Sequence, residues 1–308
     1  MPDRELAKIC LTVDTEGDAA ENPYSTCLGI EHALPRLIKV FSRFGIKATF
    51  FVQEDRLCQV GSRFRGLWKS LEDGGHEIGY HAHGLIRSSP AERAEIITSG
   101  LRTMRSLGFD PVSFRAGRYY LSGSLLGVLE DNGIKYDSSV VPGLKEHFPD
   151  GAVRCDHLDA PRQPYFLSYE DHRREGSSRI LEVPINRYPD LPPRASGVLK
   201  GKDPLEEVLF DYFHDIRKDS IIVISVHSWD GLSAILARLV RNERNGFFKK
   251  MTFEALAKII GPDHLVNGAY VNRLENLMTY MIKKDDAGFA TIGEVGLNIA
   301  QRKLGRDR

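Results

Sequence analysis

Short β-rich apolar runs alternate with amphipathic helical stretches through the first half of the chain, and this rhythm restricts the fold more than any other feature. Lys8 to Val13 (Lys-Ile-Cys-Leu-Thr-Val) reads as a buried strand. Leu34, Leu37, Ile38, Phe41 and Phe44 recur at helical spacing and predict a helix over 31–44, stopped by Gly45. Lys47 to Val52 is a second strand, 62–72 a second helix, and Glu77 to Tyr80 a third strand. Ser89-Pro90-Ala91-Glu92 is a capping box with proline at the first helical position, opening a helix that runs to about Leu107. Val112 to Arg115 is a fourth strand, 123–132 a helix, and Ile134 to Asp137 a brief strand. Strands separated in this way by helices predict a parallel sheet with right-handed crossovers.

Residues 138–178 break the rhythm. They are rich in Pro, Asp, His, Arg and Gly, and a long irregular excursion is expected that lines the substrate cleft rather than building the core. Arg179 to Pro184 restores a strand. Asp203-Pro204 caps a helix carrying Leu205, Val208, Leu209, Tyr212 and Phe213 on one face, and Ser220 to Val226 is the most strand-like run in the chain. Helices are expected over 252–260, 271–283 and 294–304. The 308 residues suit one large domain or two medium ones; no linker of disordered composition appears, so one domain over 1–308 is expected, with 266–308 as a helical finish.

Composition excludes several classes of function. Lys plus Arg and Asp plus Glu number 42 each, so the formal net charge is zero and nothing argues for nucleic acid. Cys10, Cys27, Cys58 and Cys155 are widely spaced and contain no CxxC, as expected of reduced thiols in a cytoplasmic protein. No apolar run reaches membrane-spanning length, and the charged start lacks a signal-peptide apolar region.

Polar groups fall just past the ends of three predicted strands: Asp14 and Glu16, His81 and His83, and His227. In a barrel of parallel strands, sites are built at that end. Acids after a strand mark turns as often as sites, and a lone His-x-His is more often surface or core than ligand. In an extended run, however, His81 and His83 share a face with Cα atoms roughly 6.5 Å apart, close enough to meet on one metal ion. A carboxylate and two neutral imidazoles form a catalytic zinc ligand set that leaves room for water, whose pKa the metal lowers. A second carboxylate can take a proton and a separate histidine can give one to a leaving amine. Those are the parts needed to hydrolyse an amide or ester. Trp229, two residues beyond His227, either walls an acetyl pocket or is an ordinary packed tryptophan.

The same residues resemble a known family. Leu-Thr-Val-Asp14-Thr-Glu16-Gly, Lys47-Ala-Thr-Phe-Phe-Val, Gly75-His-Glu-Ile-Gly-Tyr-His81, Phe114-Arg115-Ala-Gly, Lys135-Tyr-Asp-Ser-Ser, Leu181-Glu-Val-Pro and Val226-His227-Ser-Trp229 stand in the order found in the polysaccharide deacetylases. This is the NodB-homology, or carbohydrate esterase 4, family, and the chain looks most like its cytoplasmic, surface-polysaccharide-associated branch. The resemblance covers roughly residues 7–265. It implies an α/β fold, a distorted (β/α) barrel with about seven parallel strands, followed by C-terminal helices. It implies one divalent metal ion, most readily zinc, with Asp14 as general base, His227 as general acid and Arg115 orienting the base.

Two departures alter the assignment of ligands. The family's strand-end motif has adjacent aspartates, base then ligand; here Thr15 follows Asp14, and the ligand role passes to Glu16, on the same face. The family's second histidine stands four residues after the first; here that position is Leu85, and His83 takes the role. Metal ligands Glu16, His81 and His83 are therefore expected, with Tyr119 and Trp229 as substrate contacts. The expected substrate is an N-acetylated sugar in a nucleotide-linked or lipid-linked glycan precursor. A small non-sugar amide or a formyl group would use the same chemistry, and a metal-free sugar-binding pseudoenzyme would keep only the barrel.

Overall fold

The computed structural model describes residues 7–306 except 20, 21, 23, 55–59, 187–219, 243, 245 and 284–286. The helix expected from Asp203, and Cys58, lie outside the described residues. Among the described residues eleven strands follow one another: β1 (Ala7–Thr15), β2 (Thr49–Gln53), β3 (Glu77–Ala82), β4 (Ser113–Ala116), β5 (Tyr136–Asp137), β6 (Lys145–His147), β7 (Val153–Asp156), β8 (Tyr165–Phe166), β9 (Leu181–Glu182), β10 (Ile221–His227) and β11 (Ala287–Phe289). All seven expected strands are present. They form a curled parallel sheet in the order β10-β1-β2-β3-β4-β5-β9, with β8 antiparallel to β9 and β11 parallel to the start of β1.

Among the described residues, the two ends of the curl, β9 and β10, are joined by side chains and not by a ladder: Gln163, just before β8, accepts from the Ile221 N–H (2.9 Å) and donates to its carbonyl (3.4 Å), and the residues after β9 add Asn186. Its main-chain N–H donates to the Val223 carbonyl (3.2 Å), and its side-chain oxygen accepts from the Val223 N–H.

The helices Leu34–Arg43, Arg65–Asp73, Pro90–Ser106 and Gly123–Asp131 occupy the intervals between β1 and β5. A π-helical turn, Gly29–Ala33, precedes the first of them. The Ser89 hydroxyl accepts from the Glu92 N–H while the Glu92 carboxylate accepts from the Ser89 N–H, completing the expected capping box. The C-terminal helices are Phe247–Ile260, Gly268–Lys283 and Ile292–Arg306. None among the described residues is long and apolar enough to cross a membrane.

Strand alternation divides the side chains into two sets. Ile9, Leu11, Val13, Phe50, Val52, Ile78, Tyr80, Phe114, Ile222, Ile224 and Val226 pack into one core with helix residues such as Leu37, Phe41, Trp68, Leu101 and Leu125. Residues of the opposite parity face the inside of the curl. Near the starts of the strands they are apolar: Cys10, Phe51 and Val223 pack with Ile292 and Val295 of the last helix. Toward the strand ends they become polar: Thr12, Asp14, Gln53, His81, Arg115, Ser225 and His227.

The expectation for 138–178 is corrected. The segment contains β6, β7 and β8, and it buries Val140, Val141, Leu144, Cys155, Tyr165 and Leu167 in the two main cores. Its apolar residues come in ones, twos and one run of three among polar ones, too short to mark a period in the sequence. Cys10, Cys27 and Cys155 are buried and unbridged.

Candidate functional site

Extended backbone carries Glu16 past the end of β1 on the parity of Asp14, and carries His83 past β3 on the parity of His81. The three side chains meet. Glu16 Oε2 contacts His83 Nε2 and stands 3.7 Å from His81 Nε2, and the two Nε2 atoms are 3.1 Å apart. One donor atom from each residue falls within 4.8 Å of the other two. All three side chains are almost fully buried. Burial alone would raise the Glu16 carboxyl, but the charges and hydrogen bonds of His83 and His81 outweigh it and hold the group well below the usual carboxylate range.

The position of His83 depends on the turn after β4. A Cβ on Gly117 would lie 2.6 Å from the His83 ring, so glycine there lets the imidazole rest against the main chain. The next two residues, Arg118 (φ 56°) and Tyr119 (φ 59°), are both left-handed, a costly conformation for side-chain-bearing residues and one that clusters at functional sites. His157 steadies this turn from the 138–178 segment: its Nδ1 accepts from the Val141 N–H (3.0 Å) and its ring is hydrogen-bonded to the Tyr119 backbone.

The donor set fits a divalent metal. His81 Nδ1 lies 2.8 Å from the Arg115 carbonyl, and a neutral ring donating there carries its lone pair on Nε2, toward Glu16 and His83. A carboxylate and two imidazole lone pairs packed this closely repel unless a proton or a cation sits among them. Nitrogen and carboxylate oxygen are ordinary zinc donors, and a carbonyl fixing the distal imidazole nitrogen is the usual outer support of such a ligand.

Beside the triad lies a second group. Arg115 is fully buried; its Nη1 donates to Asp14 Oδ1 (2.8 Å), Thr12 Oγ1 (2.8 Å) and Ser225 Oγ (3.0 Å), while Nε and Nη2 donate to the carbonyl and hydroxyl of Ser138. Asp14 and His227 are register partners on β1 and β10. His227 Nε2 stands 3.7 Å from Asp14 Oδ2 and 3.9 Å from Glu16 Oε1, so His227, Asp14 and the triad border one small space.

The strand ends at His227, and residues Ser228–Gly231 form a single 3₁₀ turn. That turn brings Trp229 back to stack on the His227 ring, with centroids 4.5 Å apart, among Leu28, Ala33, Leu232 and Leu236. Tyr119 is half-buried, and burial first, then the Asp14 charge, raises its hydroxyl pKa. The structure thus brings Asp14, Glu16, His81, His83, Arg115 and His227 together and sets Tyr119 and Trp229 at the margin.

Sequence reasoning missed Asp230. Its Oδ2 accepts from the His227 N–H (2.8 Å) and lies 3.5 Å from His227 Nδ1, where it can orient the ring. The only trace in the sequence is a carboxylate three residues after the histidine. Thr12, Ser138 and Ser225, which surround Arg115, were also missed. For Thr12 and Ser225 the signal was available, since they share the parity of Asp14 and His227.

No family model matches the chain. A peptidoglycan deacetylase of Helicobacter pylori is 26% identical over 174 residues, 53% of this chain and 56% of that protein. The chain spans about half the length of the curated relatives it matches. Among solved structures, one assigned as a polysaccharide deacetylase, from Mycobacterium smegmatis, aligns with a TM-score of 0.60 at 17% identity, covering 98% of this chain and 93% of that one. An allantoinase aligns with a TM-score of 0.57 at 14% identity, covering 96% and 91%. At those identities the solved structures establish a shared fold. The motif blocks in their order, the curated deacetylase relatives and that fold point the same way: the chain resembles the polysaccharide deacetylases of the NodB-homology, or carbohydrate esterase 4, family.

Proposed function

We propose that the protein is a metal-dependent hydrolase that removes an N-acetyl group from an amino sugar in a nucleotide-linked or lipid-linked glycan precursor. The supporting observation is the convergence of a Glu16–His81–His83 donor set with an Arg115-held Asp14 and with His227 at one end of one sheet. Glu16, His81 and His83 would hold the ion, which when bound supplies a Lewis acid that polarises a carbonyl and acidifies water.

The protein's own groups supply the proton transfers. Asp14, fixed by Arg115, accepts a proton from water as its oxygen attacks the acetamide carbon. His227, oriented by Asp230 and by the stacked Trp229 ring, gives a proton to the sugar nitrogen as the C–N bond breaks. Acetate and a free amine leave. Tyr119 and Trp229 are the residues we assign to substrate contact. The unbridged thiols of Cys10, Cys27 and Cys155 support a reducing, cytoplasmic setting.

The test is deacetylation of N-acetylated sugar nucleotides and lipid-linked sugars by protein of measured metal content. General acid–base groups contribute about 10²–10⁴-fold each, so Asp14→Asn and His227→Ala should lose that much turnover while keeping metal and fold. Near-normal turnover in either variant refutes the assignment. Loss of metal from Asp14→Asn would make Asp14 a ligand and reopen the role of Glu16. Wild-type protein that binds no metal and turns over no amide would be a sugar-binding pseudoenzyme.

A further inference from the structure

The helix Phe247–Ile260 carries nine apolar residues among its fourteen, on more than one face, more than a single packed side can cover. Among the described residues only one side of it is covered. Ala257 is buried and Phe253 half-buried in a cluster with Trp229, Leu232 and Leu236. The far side is open: Phe248 is 83% exposed and Ile259 81%, and Met251 and Ala255 lie between them at helical spacing, also exposed. The preceding helix, Ala234–Val240, adds Ile235 at 78% exposure. Large apolar side chains grouped in this way mark an interaction surface, not ordinary scatter.

Charge identifies the partner. Residues 234–260 carry six cations (Arg238, Arg241, Arg244, Lys249, Lys250, Lys258) and two acids (Glu243, Glu254), a net of +4 in a chain whose total is zero. At 3.6 residues per turn, Lys249 and Lys258 fall on opposite flanks of the Phe248–Met251–Ala255–Ile259 stripe. From there their long stems can lie along an apolar surface while the ammonium groups reach out to an anionic one. A second copy meeting this face across a two-fold axis would set like charge against like.

We infer that the face formed by Ala234–Val240 and Phe247–Ile260 seats on an anionic lipid bilayer, with the stripe entering the interface and the lysines meeting headgroup phosphates. The helix is too short to span and is suited to lie in the membrane plane. The face adjoins the site: Arg241 stacks over Trp229 at 5.2 Å, and Tyr24 meets Phe247 edge-on at 6.3 Å. Docking would therefore bring the margin near His227 to the headgroup level. That this serves a lipid-linked amide substrate rests on the proposed deacetylase activity; the docking itself does not.

Vesicle co-sedimentation of the full chain tests the inference without any activity measurement. Wild type should partition onto phosphatidylglycerol vesicles, much less onto phosphatidylcholine vesicles, and should be released by high salt. Phe248→Asp with Ile259→Asp should lower partitioning by about tenfold or more, and Lys249→Glu with Lys258→Glu by a similar factor. Unchanged thermal midpoints confirm that these exposed substitutions leave the fold intact. Absence of vesicle binding by wild type overturns the proposal, whatever covers the face. So does concentration-dependent dimerisation that Phe248→Asp abolishes, because the occupant is then a second copy. Equal binding to both lipids overturns the anionic recognition.

Discussion

At the scale of single residues, the proposed ligand set depends on an absence of atoms as much as on donors. Gly117 gives His83 room, and Gly117→Ala would press a methyl into the imidazole at 2.6 Å. The expected outcome is folded protein with metal affinity reduced about tenfold or more, comparable to loss of a supporting contact, read by competitive chelator titration. Undiminished affinity would show that the ring can retreat without leaving the ion. Asp14, Glu16, His81, His83, Arg115 and His227 were legible in the sequence from the predicted strand ends and the motif blocks, and two-residue periodicity set Asp14 with Glu16 and His81 with His83 on one face. Asp230 was not, because it acts after the strand has ended, where a single 3₁₀ turn decides direction. Trp229 shows the same limit: a continued strand would send it alongside His227, and the turn folds it back onto the ring instead.

At the scale of elements, β5 and β9 set Asp137 beside Glu182 in register, both completely buried. Asp137 Oδ1 accepts from the Ser139 hydroxyl (2.6 Å), and Glu182 Oε1 accepts from the Val140 N–H (3.0 Å). Burial raises both carboxyls, Glu182 well above its usual range, with the Asp137 charge adding to it. The pair therefore retains a proton that the unfolded chain would have lost. Folded values above the unfolded ones give stability that is complete below about pH 4 and is lost as pH rises through the folded values. Glu182→Gln keeps a donor toward Asp137 without that proton, so its urea midpoint should fall less than the wild type's between mildly acidic and alkaline pH. A wild-type midpoint that rises over the same range would refute the shared proton. The long strands and helices were legible from apolar periodicity and from caps such as Ser89–Glu92. The 138–178 segment was not, since strands of two to four residues are too short to display a period.

At the scale of the whole molecule, parallel order and the site end of the sheet were readable from strand–helix alternation, whereas the manner of closure was not. A ladder leaves a pattern in sequence; a seam held through the side chains of Gln163 and Asn186 leaves none. Asn186→Ala removes the side-chain acceptor of the buried Val223 N–H, and an unpaired donor costs about 1–3 kcal/mol. Urea unfolding should show a loss of that size, and a change below about 0.5 kcal/mol would mean that water or a neighbour replaces the acceptor. The order of strands has a temporal consequence as well. The proposed ligands and Arg115 all lie before β5, whereas the proposed acid arrives with β10, which pairs with β1 from far along the chain. On the ribosome, the residues able to capture an ion therefore emerge well before the residue able to protonate a leaving group. On the proposed function, ion capture and catalytic competence would be successive stages in the biogenesis of one polypeptide.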